Sequence, residues 1–206
     1  TRGGWRRLRE RVADGRGGRS GETQSGEQGI ARTPGATEAL FCAIQAVIRP
    51  GDKVIVFNPC YGSYDPAVAL AGGRCVHVPL SDGDFRIDWQ RFADALTPRP
   101  RMVVLNSPHN PSGALISHED LEQLAESIAG RDLYLLSDEV YEHLVFDGVG
   151  HASVLTHPEL YCRAFVVSSF GQTYHVTGWK TGHVVADPKS GVEGKGVDRG
   201  GRRILY

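Results

Sequence analysis

The chain has 206 residues, of which 40% are hydrophobic and 23% charged, with a formal net charge of -1. That length supports one substantial core, and the near-neutral balance gives the whole chain no attraction for nucleic acid or an anionic membrane. No apolar run reaches the roughly 20 residues of a membrane helix, and the arginine-rich start lacks the apolar stretch of a secretory signal, so a cytoplasmic protein is expected.

Residues 1–29 mix arginine with glycine and carry only a short helical hint at Trp5 to Val12. They read as a flank without assigned structure, as does the basic, glycine-rich tail at 188–206. Thr1 stands where a gene would supply methionine, so the chain is expected to begin internally. Between the flanks, residues 30–187 read as one domain. Ile30 to Thr33 is a candidate strand. Thr37 to Ile48 follows as a helix with Leu40, Ala43, Ile44 and Val47 on one face, stopped by Pro50-Gly51. Further short β-branched runs predict strands at Lys53 to Phe57, Arg74 to Val78, Arg101 to Asn106, Leu133 to Leu136, Ala164 to Ser168 and Thr181 to Ala186. Ser117 to Ile128 is helical, with Leu121, Leu124, Ala125 and Ile128 at helical spacing and a capping-box start at Ser117 and Asp120. Cys42, Cys60, Cys75 and Cys162 are far apart with no C-x-x-C pair, a spacing that argues for reduced thiols and against a zinc site, so no metal is expected.

Strand–helix alternation of this kind predicts an α/β fold: a mainly parallel seven-stranded sheet in a three-layer α/β/α arrangement. Ligands bind such sheets beyond the carboxyl ends of the strands. The segments just after each strand are therefore the candidates for chemistry. Pro34-Gly35-Ala36-Thr37 opens a helix, where free amides favour an anion such as phosphate, although glycine and threonine there also make an ordinary turn and cap. Asn58-Pro59-Cys60-Tyr61-Gly62-Ser63-Tyr64 puts an aromatic at a strand end, suited either to stacking on a flat ring or to the core. Asn106-Ser107-Pro108-His109-Asn110-Pro111-Ser112-Gly113 fixes two directed amides on a rigid turn. Ser137-Asp138-Glu139-Val140-Tyr141 ends an apolar strand in a carboxylate that needs a cationic partner or serves as a cap. The run from Ser168 to Gly182 is the most specific stretch of all.

These five segments, G-A-T-E-A-L, N-P-C-Y-G-S-Y, N-S-P-H-N-P-S-G, S-D-E-V-Y and S-S-F-G-Q-T-Y-H-V-T-G-W-K-T-G, resemble the class I/II aminotransferases, fold-type-I enzymes that use pyridoxal 5'-phosphate. The resemblance runs from about Ile30 to Asp187. It is strongest to the methionine, aromatic and kynurenine aminotransferase branch, which His151-Ala152-Ser153-Val154-Leu155 also fits. It implies that Gly35, Ala36 and Thr37, with Ser169 and Lys180, hold the cofactor phosphate. Tyr61 would stack on the pyridine ring and Asn106 lie beside it, while Asp138 pairs with the protonated ring nitrogen. Tyr141 and Asn110 would bond the ring hydroxyl, with Asn110 also near the substrate carboxylate. Amino acids and 2-oxo acids are the implied substrates, and a homodimer the implied assembly, with no nucleic acid or membrane partner.

The chain departs from the family at one decisive place. Gln172 stands where the family pattern has the lysine that forms the Schiff base and shuttles the substrate proton. Its amide is neither nucleophilic nor basic, and losing a positioned acid–base group typically costs about 10²–10⁴-fold in rate. Lys180 is assigned to phosphate, Lys53 opens a strand at the far end of the sheet, and Lys189 and Lys195 lie in the tail, so none replaces it. Family members also carry a further domain with a carboxylate-binding arginine and an N-terminal segment over the site. Neither is recognisable here, which points to a fragment. Three readings follow: an aminotransferase with an incomplete sequence, a catalytically dead fold that binds the cofactor or a partner, and an RNA-contacting role for the arginine–glycine flanks.

Overall fold

The computed structural model describes residues 29–96 and 100–187. Apart from Gly29, the arginine–glycine flank and the basic tail fall outside these residues. All seven expected strands are present: β1 Ile30–Thr33, β2 Lys53–Asn58, β3 Arg74–Pro79, β4 Met102–Asn106, β5 Tyr134–Asp138, β6 Ala164–Ser169 and β7 Gly182–Ala186. Both expected helices appear as α1 Ala36–Val47 and α4 His118–Ile128, joined by α2 Tyr64–Leu70, α3 Trp89–Ala95 and α5 Pro158–Tyr161, which the hydrophobic period did not disclose. At seven residues or fewer, these three are too short for a 3.6-residue period to be read. Local capping explains α3 instead: Asp88 Oδ1 accepts from the amides of Gln90 and Arg91, both at 3.1 Å. The box at α4 forms as expected, with Ser117 Oγ accepting from the Asp120 amide (3.1 Å) and Asp120 Oδ2 from the Ser117 amide (2.9 Å).

The sheet order is β1-β7-β6-β5-β4-β2-β3. Strands β2 to β6 pair in parallel, and β7 runs antiparallel to both of its neighbours, so six strands point one way and one against. Side-chain alternation sends the two parities of each strand into separate cores. Val54, Val56, Met102, Val104, Tyr134, Leu136, Phe165 and Val167 pack with Ala39, Leu40, Ala43 and Ile44 of α1 and Tyr64, Ala67 and Val68 of α2. Ile55, Phe57, Val103, Leu105, Leu135 and Val166 pack with Phe92 of α3, Leu121, Leu124 and Ile128 of α4, and Leu160 of α5. The result is the three-layer arrangement expected. Burial of each large apolar chain contributes about 1.5–3 kcal/mol, which is why both faces must be covered.

This alternation also decides where the strand-end polar groups go. Asn106 follows Val104, and Asp138 follows Leu136, so both emerge on the α1/α2 face. Ser137 falls on the α3/α4 face. The register brings the strand tips together, with Asn106 opposite Asp138 and Gly182 opposite both Thr33 and Ser169.

Candidate active site

The strand tips on the α1/α2 face border two adjoining cavities. The smaller, about 80 Å³, is lined by Tyr61, Asn106, Asn110, Asp138 and Tyr141. The larger, about 580 Å³, is lined by Gly35, Ser169 and Lys180, along with Thr177 and Thr181. Ala36, Thr37 and Gln172 line both and so stand at the junction. Every residue that the resemblance assigns to the cofactor, together with Gln172, thus borders one of these two cavities.

The α1 end is built for close approach. Gly35 caps the helix at φ +86°, where a side chain would be strained, and it makes no side-chain cap bond to the first turn. Its own amide is taken by the Thr33 carbonyl at 2.8 Å, so Gly35 contributes shape rather than a free donor. Ala36 and Thr37 then present first-turn amides at the positive end of the helix. Gly182, which ends the fifth segment but was given no role from the sequence, makes this docking possible. A Cβ there would stand 2.6 Å from Gly35 C and 2.9 Å from Ala36 N, both rigid backbone. Lys180 closes the other side at φ +50°, its Cδ 3.8 Å from where a Gly35 Cβ would be. Gln172 is half-buried, and its Oε1 accepts from Ser169 Oγ at 3.0 Å.

At the other end lies Asp138, 3% exposed. Its partners among the described residues are the Tyr64 hydroxyl, which donates to Oδ2 at 2.7 Å, and the Val140 amide, which donates to Oδ1 at 3.4 Å. The cationic partner expected for this carboxylate is not among them. Burial therefore pushes its pKa up to about 6, against the lowering effect of the Tyr64 and Val140 bonds and with a small upward push from Glu139. Burial, with the Asp138 carboxylate beside it, holds the Tyr64 hydroxyl well above the ordinary tyrosine range. Tyr64 lies in the second segment singled out from the sequence but was given no role there. The Tyr61 and Tyr64 rings meet edge to face, 5.7 Å between centroids.

Further polar groups brace this arrangement. Asn106 Nδ2 donates to the Asp138 carbonyl (2.9 Å), and its Oδ1 accepts from the Asn110 amide (2.7 Å), so both halves of its amide hold backbone. Buried His109 donates from Nε2 to the Pro59 carbonyl (2.8 Å), which leaves Nδ1 to accept from Ser112 Oγ (2.6 Å). It thereby ties the segment bearing Tyr61 to the turn bearing Asn110, and burial lowers its pKa.

Known proteins resemble this chain in sequence and in fold. The sequence profile of the family described as aminotransferase class I and II matches residues 2–196. The methionine aminotransferase of Escherichia coli K12 is 50% identical over 179 residues, which is 87% of this chain and 46% of the relative. Among solved structures, that of YbdL from Escherichia coli, described as having a methionine aminotransferase function, superposes with a TM-score of 0.86 at 49% identity, covering 90% of this chain and 49% of that one. N-succinyldiaminopimelate aminotransferase from Mycobacterium tuberculosis superposes with a TM-score of 0.84 at 38% identity, over 90% of this chain and 49% of that one. The chain thus spans about half the length of the relatives it matches.

Proposed function

The chain belongs to the aminotransferases of class I and II, and from that membership we propose that its strand-tip cleft binds pyridoxal 5'-phosphate and serves amino-group transfer between an amino acid and a 2-oxo acid. The observation that carries this reading is the convergence of Thr37, Tyr61 and buried Asp138 on one small cavity. The donor set suits the cofactor at both ends. Asp138 is a buried carboxylate held by a phenol and an amide, and a protonated pyridine nitrogen supplies the positive charge its surroundings lack. First-turn amides of α1 and the Lys180 ammonium suit a phosphate.

In this proposal Ala36, Thr37, Ser169 and Lys180 hold the phosphate, with Gly35 making room for it. Asp138 holds the proton on the ring nitrogen, oriented by Tyr64. Tyr61 lies against the ring face and Asn106 keeps the walls in place. Asn110 and Tyr141 bond the ring hydroxyl, and Asn110 also reaches toward the substrate carboxylate. When bound, the cofactor supplies an electron sink for the substrate α-carbon. Gln172 can bond a neighbour, as it does Ser169, but it can neither attach the cofactor covalently nor move a proton. That one residue favours a second reading, a fold that retains the cofactor and has lost turnover. We place the working assembly in the cytoplasm as a homodimer. Trp179 and Tyr174, 79% and 61% exposed beside the cleft, support a partner chain there. No helix among the described residues is long and apolar enough to cross a membrane.

The test is cofactor attachment. Pyridoxal 5'-phosphate should bind this chain reversibly, with borohydride leaving the protein unlabelled. Gln172→Lys should convert that to a borohydride-fixable adduct with visible absorbance, located on residue 172 by peptide mass. Absence of binding in both proteins overturns the reading, and fixation on the unaltered chain shows that another lysine has the role.

A further inference from the structure

A second set of reactive side chains lies at the outer edge of the sheet. Cys75 and His77 are two residues apart on edge strand β3, opposite Val54 and Val56 of β2, and so share the α1/α2 face. Cys60 follows β2, and Asp65 stands in the first turn of α2. One ligand atom each from Cys60, Asp65 and His77 lies within 4.8 Å of the other two. The Cys75 thiol adjoins the Asp65 carboxylate. Sequence spacing concealed this cluster, because parallel pairing of β2 with β3 assembles it rather than a short C-x-x-C segment.

The imidazole of His77 gives the cluster its meaning. Its Nδ1 is 2.9 Å from Asn58 Oδ1 and its Nε2 is 3.0 Å from Asp65 Oδ1. Both facing oxygens are acceptors. A neutral ring that donates from Nδ1 to the Asn58 oxygen turns the bare lone pair of Nε2 toward a carboxylate. In that tautomer Nε2 is free to ligate a metal ion shared with Asp65, 3.0 Å away. Histidines that ligate metals regularly give their other N–H to an oxygen acceptor, the part Asn58 plays here.

We propose that Cys60, Asp65 and His77 bind a divalent thiophilic metal ion, zinc foremost, with Cys75 as the adjacent fourth donor. Thiolate, imidazole and carboxylate together select zinc or a neighbouring late transition ion, whereas magnesium and calcium favour all-oxygen sites. Tetrahedral bonds of about 2.0–2.3 Å separate ligand atoms by roughly 3.3–3.8 Å. The present limit of 4.8 Å exceeds that spacing by about 1–1.5 Å, so the ion would draw the three side chains together. On binding, the Cys60 and Cys75 thiols each give a proton to solvent and a sulfur electron pair to the metal. The ion would clamp the 58–65 segment to β3, and that segment carries Tyr61 and Tyr64 of the cleft. The site is independent of the cofactor reading, since it is scored without pyridoxal 5'-phosphate.

Calorimetric titration with zinc, repeated with cobalt(II) as a spectroscopic probe, tests the proposal on the 206-residue chain. One equivalent of zinc should bind, and cobalt should give an intense tetrahedral visible band with a near-ultraviolet sulfur charge-transfer band. Cys60→Ser should diminish the charge-transfer band and Cys60→Ser combined with Cys75→Ser should abolish it, and His77→Ala should weaken zinc more than the 10–100-fold typical of outer-shell changes. Cys162→Ser, at an exposed thiol outside the cluster, should leave both signals unchanged. If either ligand variant loses its far-ultraviolet circular dichroism, Asp65→Asn takes its place and must weaken zinc by at least tenfold. Failure of the folded chain to take up stoichiometric zinc, or uptake that the ligand variants leave intact, overturns the site.

Discussion

Replacing Tyr64 with phenylalanine tests how Asp138 is held. The substitution removes one hydroxyl from a buried position and leaves the ring in the α1/α2 core, so the lost bond to Asp138 at 2.7 Å is the main change. The folded-state pKa of Asp138, about 6, lies above the ordinary value of 3.8. For an acid shifted upward, the proton-linked contribution to stability is fully present below about pH 4 and is lost as pH rises through about 6. That loss is worth on the order of 3 kcal/mol in the unaltered protein. The Tyr64 bond is worth about 1 kcal/mol to a neutral carboxyl and about 2–3 kcal/mol to the charged form. Tyr64→Phe should therefore cost about 1 kcal/mol at pH 4 and about 2–3 kcal/mol at pH 8, and raise the proton affinity of Asp138 about tenfold. Urea unfolding at half-unit pH steps from 4 to 9 measures both, with the stability of the variant declining over a range displaced to higher pH. Unfolding curves separated by the same free energy at pH 4 and pH 8 would refute the reasoning, because the bond would then be indifferent to the charge of Asp138.

Two further changes probe the walls of the cleft. Gly182→Ala places a Cβ 2.6 Å from Gly35 C; it should cost about 1–3 kcal/mol in urea unfolding and weaken pyridoxal 5'-phosphate binding at least tenfold, whereas Gly178→Ala, with nothing within 4 Å, should do neither. His109 has its pKa lowered by burial, so its contribution is present above its unfolded pKa of about 6.5 and is lost as pH falls through the lower folded value. His109→Gln should accordingly reduce stability at pH 8 more than at pH 5, and equal losses at the two pH values would count against a pKa lowered by burial.

Strands were legible because short β-branched runs between turn residues leave little alternative, and every strand-tip motif fell where a parallel sheet puts its ligand. Two kinds of feature were not legible. Of the short helices, α3 is set by its Asp88 cap and α2 and α5 by packing on the sheet rather than by a repeating apolar stripe, and α2 carries Tyr64. Contacts that depend on strand order were also hidden. Gly182 matters because β7 runs antiparallel between β1 and β6 and so begins beneath α1, and nothing in its neighbours' identities announces that. Asp138 was recognised as a carboxylate in need of a partner, but only the tertiary structure shows that its protein partners are a phenol and an amide.

Asp138 and Glu139 adjoin in sequence and are both almost wholly buried, 3% and 1% exposed, yet the fold treats them in opposite ways. Glu139 is enclosed by donors: Ser137 Oγ at 2.9 Å, the Val154 amide at 3.1 Å and His151 Nε2 at 2.9 Å. A buried carboxylate so surrounded is part of the frame, and here it ties the end of β5 to the His151–Leu155 segment. Asp138 has one hydroxyl and one long amide contact, and it borders a cavity. Keeping a buried carboxylate short of donors is costly, so natural structures tolerate it chiefly where another group completes the set. The contrast between these neighbours supports the binding role proposed for Asp138 beside a structural one for Glu139. It also makes the strand-tip cleft a site that remains suited to a cationic ring despite the amide at position 172.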